Sequence, residues 1–166
     1  MNINKTFFFS KNVICCLLFA FLFVSGMYAQ SCDAQLMVEK NRNSKSADED
    51  GAVYNMVLTN TSSAVENYSI SVKQLEGSCS NVAYKTSAAN VDLDVAISGN
   101  AARTSGANEI SVKPGQSYNF TIKVTVPKGT PSKRWSCIQV EAKSPSCKGK
   151  AASTVLKVFV PDVTEG

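Results

Sequence analysis

Apolar side chains recur at every second position along most of this chain, and no window carries a 3.6-residue apolar stripe. Ala52, Tyr54, Met56 and Leu58 alternate with Val53, Asn55, Val57 and Thr59. Tyr68, Ile70 and Val72 alternate with Ser69, Ser71 and Lys73, and Val91, Leu93, Val95 and Ile97 with Asp92, Asp94 and Ala96. The same pattern returns in Phe120, Ile122, Val124 and Val126, and again in Ile138, Val140 and Ala142; Gln35 to Glu39 and Val155 to Val160 are two further apolar runs. Successive side chains of a strand point to opposite faces, so each run predicts a strand with one dry and one wet face. Between the runs lie turn clusters such as Asp48-Glu49-Asp50-Gly51, Asn60-Thr61-Ser62-Ser63, Pro114-Gly115 and Ser144-Pro145-Ser146. Seven or eight short strands at this spacing predict an all-β, antiparallel Greek-key β-sandwich with almost no helix. Its expected core is Tyr54, Met56, Leu58, Tyr68, Ile70, Val72, Leu93, Val95, Phe120, Ile122, Val124, Ile138, Val140 and Val158.

The N-terminus reads differently. Lys5 and Lys11 precede an unbroken apolar run from Val13 to Val24, which Ser25-Gly26 ends and small residues Ala29 and Ser31 follow. That run is short for a spanning helix, which needs about 20 apolar residues. The expectation is a cleavable signal over 1–30, cut after Ala29 or Ser31, and a single sandwich domain over 31–166, with no stable membrane span left after cleavage. The chain is then secreted, or held in the periplasm or at the cell surface.

Cys15 and Cys16 leave with the signal, and Cys32, Cys79, Cys137 and Cys147 stay. An even count in an exported domain predicts two disulfides, not a metal site, because zinc ligands come in close pairs and the chain has no histidine. The lack of histidine also removes the commonest general base and the usual nucleophilic triads. The carboxylates a glycosidase could use are Asp92 with Asp94, or Asp48, Glu49 and Asp50; Asp92 and Asp94 share a strand face but read as the wet side of their strand. The acidic run 48–50 reads as a turn, since a calcium loop begun at Ser46 would want glutamate where Val57 stands. Removing Lys5 and Lys11 from 17 Lys+Arg leaves 15 against 13 Asp+Glu, too balanced for a nucleic-acid footprint. No catalytic residue, cofactor or metal is expected.

Glu109-Ile110-Ser111-Val112-Lys113-Pro114-Gly115-Gln116-Ser117 leads into Tyr118 to Pro127, a Gly/Pro loop, and then Ile138 to Ser144. This resembles the C-terminal half of bacterial fibronectin-III/immunoglobulin-like modules, particularly those associated with alpha-galactosidases, and Val57 to Thr61 looks like the end of their second strand. The resemblance implies an accessory module and says little of its ligand. It also bears on the disulfides. A regular terminal hairpin keeps Cys137 about 20 Å from Cys147 at its tip, too far to bridge. In a fibronectin-like sandwich the first strand starts at the pole where the last hairpin turns, which favours Cys32–Cys147 and Cys79–Cys137. Trp135, the only tryptophan, is out of phase with Ile138. Either a bulge turns it into the core, as an aromatic near this point in the module family implies, or it faces out beside Lys133 and Arg134 as a possible binding surface.

The function expected is a non-catalytic exported binding or structural module, its partner an unknown protein or glycan of the cell envelope and not nucleic acid. The alternatives are a self-assembling adhesion or fibre subunit using the mostly apolar strand from Ser153 to Val160 as an open edge, and, further off, a carbohydrate-active enzyme.

Overall fold

The structure is a computed structural model, and it describes residues 33–48, 50–77, 79, 89–99, 109–147 and 151–162. The expected signal and Cys32 lie outside the described residues. Nine strands form: β1 (Ala34–Val38), β2 (Ser44–Ser46), β3 (Ala52–Asn60), β4 (Glu66–Gln74), β5 (Asp94–Ser98), β6 (Glu109–Val112), β7 (Ser117–Thr125), β8 (Arg134–Lys143) and β9 (Ala151–Val160). They build a four-stranded sheet, β1-β3-β7-β5, and a five-stranded sheet, β2-β9-β8-β4-β6. This is the immunoglobulin-like all-β sandwich. The described residues contain one helical turn, the 3-10 segment Glu39–Asn41.

The alternation expected of β3 is met at every position, with Ala52, Tyr54, Met56, Leu58 and Asn60 buried and their neighbours more exposed. Those side chains face Ile138, Val140, Leu156 and Val158 of the other sheet in one core. Val72 and Val95 pack at its margin, half-buried. Tyr54 ties the layers together: its ring is fully buried, yet its hydroxyl donates across the core to the carbonyl of Lys157 in β9 at 3.0 Å. Burial pushes the Tyr54 phenol above its ordinary range, which keeps it a neutral donor.

Two features escape a pattern read strand by strand. The chain leaves β1 in one sheet and enters β2 in the other, and β2 pairs with β9 in parallel, Ser44 to Ser46 against Lys157 to Phe159. The sandwich is therefore antiparallel with one parallel pair, and the final strand is not an open edge over that stretch. The run from Val91 to Ile97 also straddles both sheets. The Val91 amide donates to Trp135 O in β8, whereas Val95 lies opposite Val124 in β7. Only Asp94–Ser98 is strand, and Asp92 lies in the crossing segment before it.

The turn at 48–51 is closed by its own side chain. Asp48 Oδ1 accepts from the Asp50 amide at 3.1 Å, and the Gly51 amide donates to Asp48 O. Gly51 has φ +83°, and a Cβ there would sit 2.2 Å from Val124 O, so β3 enters against β7 only with glycine at this point.

Candidate functional site

β8 is the central strand of its sheet neighbourhood, flanked by β4 and β9, and it is buried on both faces from Trp135 to Ile138. Ile138 and Val140 point into the sandwich. Trp135 and Cys137 point the other way, out of the sandwich, and are nevertheless 1 % and 3 % exposed. The cover includes Leu75 and Cys79, which follow β4. Leu75 donates its amide to Cys137 O, Cys79 is disulfide-bonded to Cys137 with Cα atoms 5.8 Å apart, and Val91 returns beside Trp135. Asn90 closes the base of this excursion, donating to the carbonyls of Leu75 and Gly77 and accepting from the Cys79 amide. On the other side Phe159, the register partner of Trp135, leans on the indole with ring centroids 5.1 Å apart.

The expected binding surface of Lys133, Arg134 and Trp135 is corrected accordingly. Trp135 faces outward in phase, with no bulge, but a segment distant in sequence covers it. Lys133 sits at φ 56° where the chain turns into β8, and its ammonium lies 3.6 Å from Asp162. Arg134 is half-exposed. The three residues do not form a platform, because the indole between the two cations is packed away.

A second polar cluster lies at the opposite pole. Glu66 is buried at the start of β4, and its carboxylate accepts from Ser144 Oγ at 2.6 Å and from Ser146 Oγ. Those serines flank the turn of the β8–β9 hairpin, which carries Cys147, itself disulfide-bonded. Nearby Asn60, fully buried, donates to Ala64 O and Val112 O and accepts from the Ser62 amide and the Tyr68 hydroxyl, so its side chain is satisfied without water. The two serine hydroxyls hold the Glu66 carboxyl below its ordinary range. The sign of the linkage follows. A depressed carboxylate stabilises the fold above the unfolded-chain value, about 4.3, and loses that contribution as pH falls through the folded one. Urea melts of the wild type and of Glu66→Gln between neutral pH and pH about 2 should therefore converge in acid; curves that stay parallel would remove Glu66 from the acid response.

Among the described residues no group of His, Cys, Asp or Glu is placed to hold a metal, and Asp92 and Asp94 are both exposed. A cleft of about 800 Å³ lies on the outer face of the four-stranded sheet, lined by Glu39, Asn55, Val57, Ser98, Asn119 and Thr121 among others. Sequence reading passed over these residues. Their signal was present in the wet positions Asn55, Thr59, Ser117, Asn119 and Thr121, a run of amides and hydroxyls where a solvated face ordinarily carries more charge.

The fold and its covered disulfide define an immunoglobulin-like β-sandwich module. The chain belongs to the family described as "IG-like fold at C-terminal of FixG, putative oxidoreductase", whose model matches residues 25–161. The alpha-galactosidase-associated modules are thus not its family: the Pro-Gly turn and the alternating strands that carry that resemblance are β6, β7 and β8, elements of the sandwich itself. Solved structures similar to the chain include a FixG-related protein from Vibrio parahaemolyticus, at 17% identity and TM-score 0.47, covering 80% of this chain and 97% of that one. The E. coli chaperone DraB is similar at 13% identity and TM-score 0.46, over 81% of this chain and 58% of that one. A family 123 glycoside hydrolase from Clostridium perfringens is similar at 12% identity and TM-score 0.48, over 80% of this chain and 28% of that one. No curated protein matches the chain.

Proposed function

We propose that this chain is an exported, non-catalytic immunoglobulin-like module of the cell envelope, acting by binding through its sheet faces and loops. The observation that carries the reading is the Cys79–Cys137 disulfide, which closes over a buried tryptophan and needs an oxidising compartment to persist. The N-terminal signal pattern supports the same compartment. A second bridge, Cys32–Cys147, is expected with it. Asp33, next to Cys32 in sequence, accepts from the Thr61 amide at one end of the β3–β4 turn, and Glu66 at the other end of that turn holds the serines beside Cys147. Asp33 and Cys147 thereby lie toward one pole.

The fibre-subunit alternative rests on an open final strand, and β2 covers β9 from Lys157 to Phe159. The module reading is the better supported.

Expression of the full chain in a Gram-negative host, followed by fractionation and non-reducing peptide mapping, tests it. The expected product begins after Ala29 or Ser31, lies outside the cytoplasm and yields linked peptides joining Cys79 to Cys137 and Cys32 to Cys147. A full-length cytoplasmic product with all six cysteines as reactive thiols would overturn the reading, and a Cys32 thiol left free would overturn the second bridge alone.

A further inference from the structure

The outer faces of the two sheets differ in chemistry. On the five-stranded sheet the exposed and half-exposed outward positions include Lys73, Glu141, Lys143 and Lys157, and the disulfide-bound segment covers one end. On the four-stranded sheet one row of side chains crosses all the strands. Glu39, just past β1, meets Asn55 of β3, whose amide donates to its carboxylate at 3.0 Å; Asn55 lies opposite Thr121 of β7, and Thr121 opposite Ser98 of β5. The next row is Met37, Val57 and Asn119, and the next is Gln35, Thr59 and Ser117. Glu39 is the only charged side chain in the three rows, and Lys40 beside it brings an ammonium within 3.9 Å.

We propose that this cleft is a binding site for a neutral glycan, seated on the row Glu39–Asn55–Thr121–Ser98. The proposal rests on the reading of the chain as a binding module and names the class of ligand. Sugar hydroxyls both donate and accept, and they are met best by groups that do the same. Asn55 keeps its amide oxygen and one N–H after bonding Glu39. Thr121 donates to Ser98 O at 3.1 Å and keeps its lone pairs, and Asn119 is exposed in the next row. Val57, half-buried between Asn55 and Thr59, offers the apolar contact that the C–H face of a sugar ring requires. A volume of about 800 Å³ falls within the range of small-ligand clefts, about 300–1,000 Å³. The charge pattern disfavours an anionic polymer, which would meet Glu39 and find only Lys40 and, in the adjacent Val53–Lys123–Ala96 row, Lys123, two separated cations and no stripe. A protein interface core would be expected to concentrate aromatic side chains, methionine and arginine, and of these the three rows hold Met37 alone among serines, threonines and amides.

The test is a ¹⁵N-HSQC titration of the processed chain with maltohexaose, cellohexaose, mannohexaose and xylohexaose, each to about 10 mM so that a Kd near 1 mM registers. At least one should shift the signals of Asn55, Ser98, Asn119 and Thr121 together. Asn55→Ala and Asn119→Ala, both on the wet face and so expected to keep the wild-type spectrum elsewhere, should each weaken binding by about tenfold, the value of one lost good hydrogen-bond set at about 1.4 kcal/mol. No response to any of the four glycans, shifts confined to another face, or tighter binding of dextran sulfate than of the neutral chains would overturn the proposal. Cross-linking of an envelope protein to this face without any glycan response would overturn it too. Export and disulfide pairing are read separately, so the module reading survives or fails on its own measurement.

Discussion

Trp135→Ala is expected to destabilise the domain by about 3–5 kcal/mol, the range for removing a large buried aromatic. A tryptophan on the outward side of a sheet would ordinarily tolerate this change. Here the indole is 1 % exposed and fills the space between the sheet, the Cys79–Cys137 bridge, Leu75 and Phe159. Truncation leaves a cavity that the bridge, anchored at both ends, prevents from collapsing. Denaturant unfolding read by far-UV circular dichroism measures the loss, since the variant has no tryptophan left to report. A change below about 1 kcal/mol, typical of surface substitutions, would mean that the covering segment does not pack on the indole.

Loss of the Cys79–Cys137 bridge is the second large effect expected. The bridge joins residues 58 apart, and chain-entropy arithmetic for such a loop gives about 4 kcal/mol. For a domain of this size that corresponds to a fall in Tm of about 10–20 °C. The Cys79→Ser/Cys137→Ser double variant, followed by scanning calorimetry, reads it directly, and an unchanged Tm would show that Asn90 and the β8 carbonyls hold the segment unaided. Tryptophan fluorescence adds a local readout. Trp135 shares its cluster with the disulfide, so the double variant should emit more strongly and become accessible to iodide as the segment lifts. The two losses should not add, because tryptophan and bridge belong to one packed unit; a combined variant is expected to cost less than the sum.

The Asp92/Asp94 pair shows why chemistry could not be assigned from spacing alone. Two carboxylates two apart on a strand share a face, but Asp92 precedes the strand, in the segment where the chain crosses between sheets. Alternation carries no mark of such a crossing, because Val91 and Val95 are both apolar and each has a partner, one beside β8 and the other beside β7.

Burial by alternation is a local property, and there the sequence by itself determined much. The strands around Tyr54, Tyr68, Phe120 and Ile138 and the inward phase of each follow from period-two patterning, since a one-residue slip would turn the whole apolar set to water. The sandwich class follows from their number and spacing. The tertiary structure decided what depends on segments remote in sequence. Trp135 is on the outer face, as its phase requires, and is dry only because residues beyond β4 fold back over it and are pinned by a cysteine 58 residues away. Glu66, a charged residue at the start of a strand, is buried because two serines from the β8–β9 turn satisfy its carboxylate. The three residues of β2 are too few to show a period, and their parallel pairing with β9 is set by the path of the chain between sheets. The amides and hydroxyls of β3 and β7 were written residue by residue in the sequence, but only the register Asn55–Thr121 and Val57–Asn119 gathers them into one cleft.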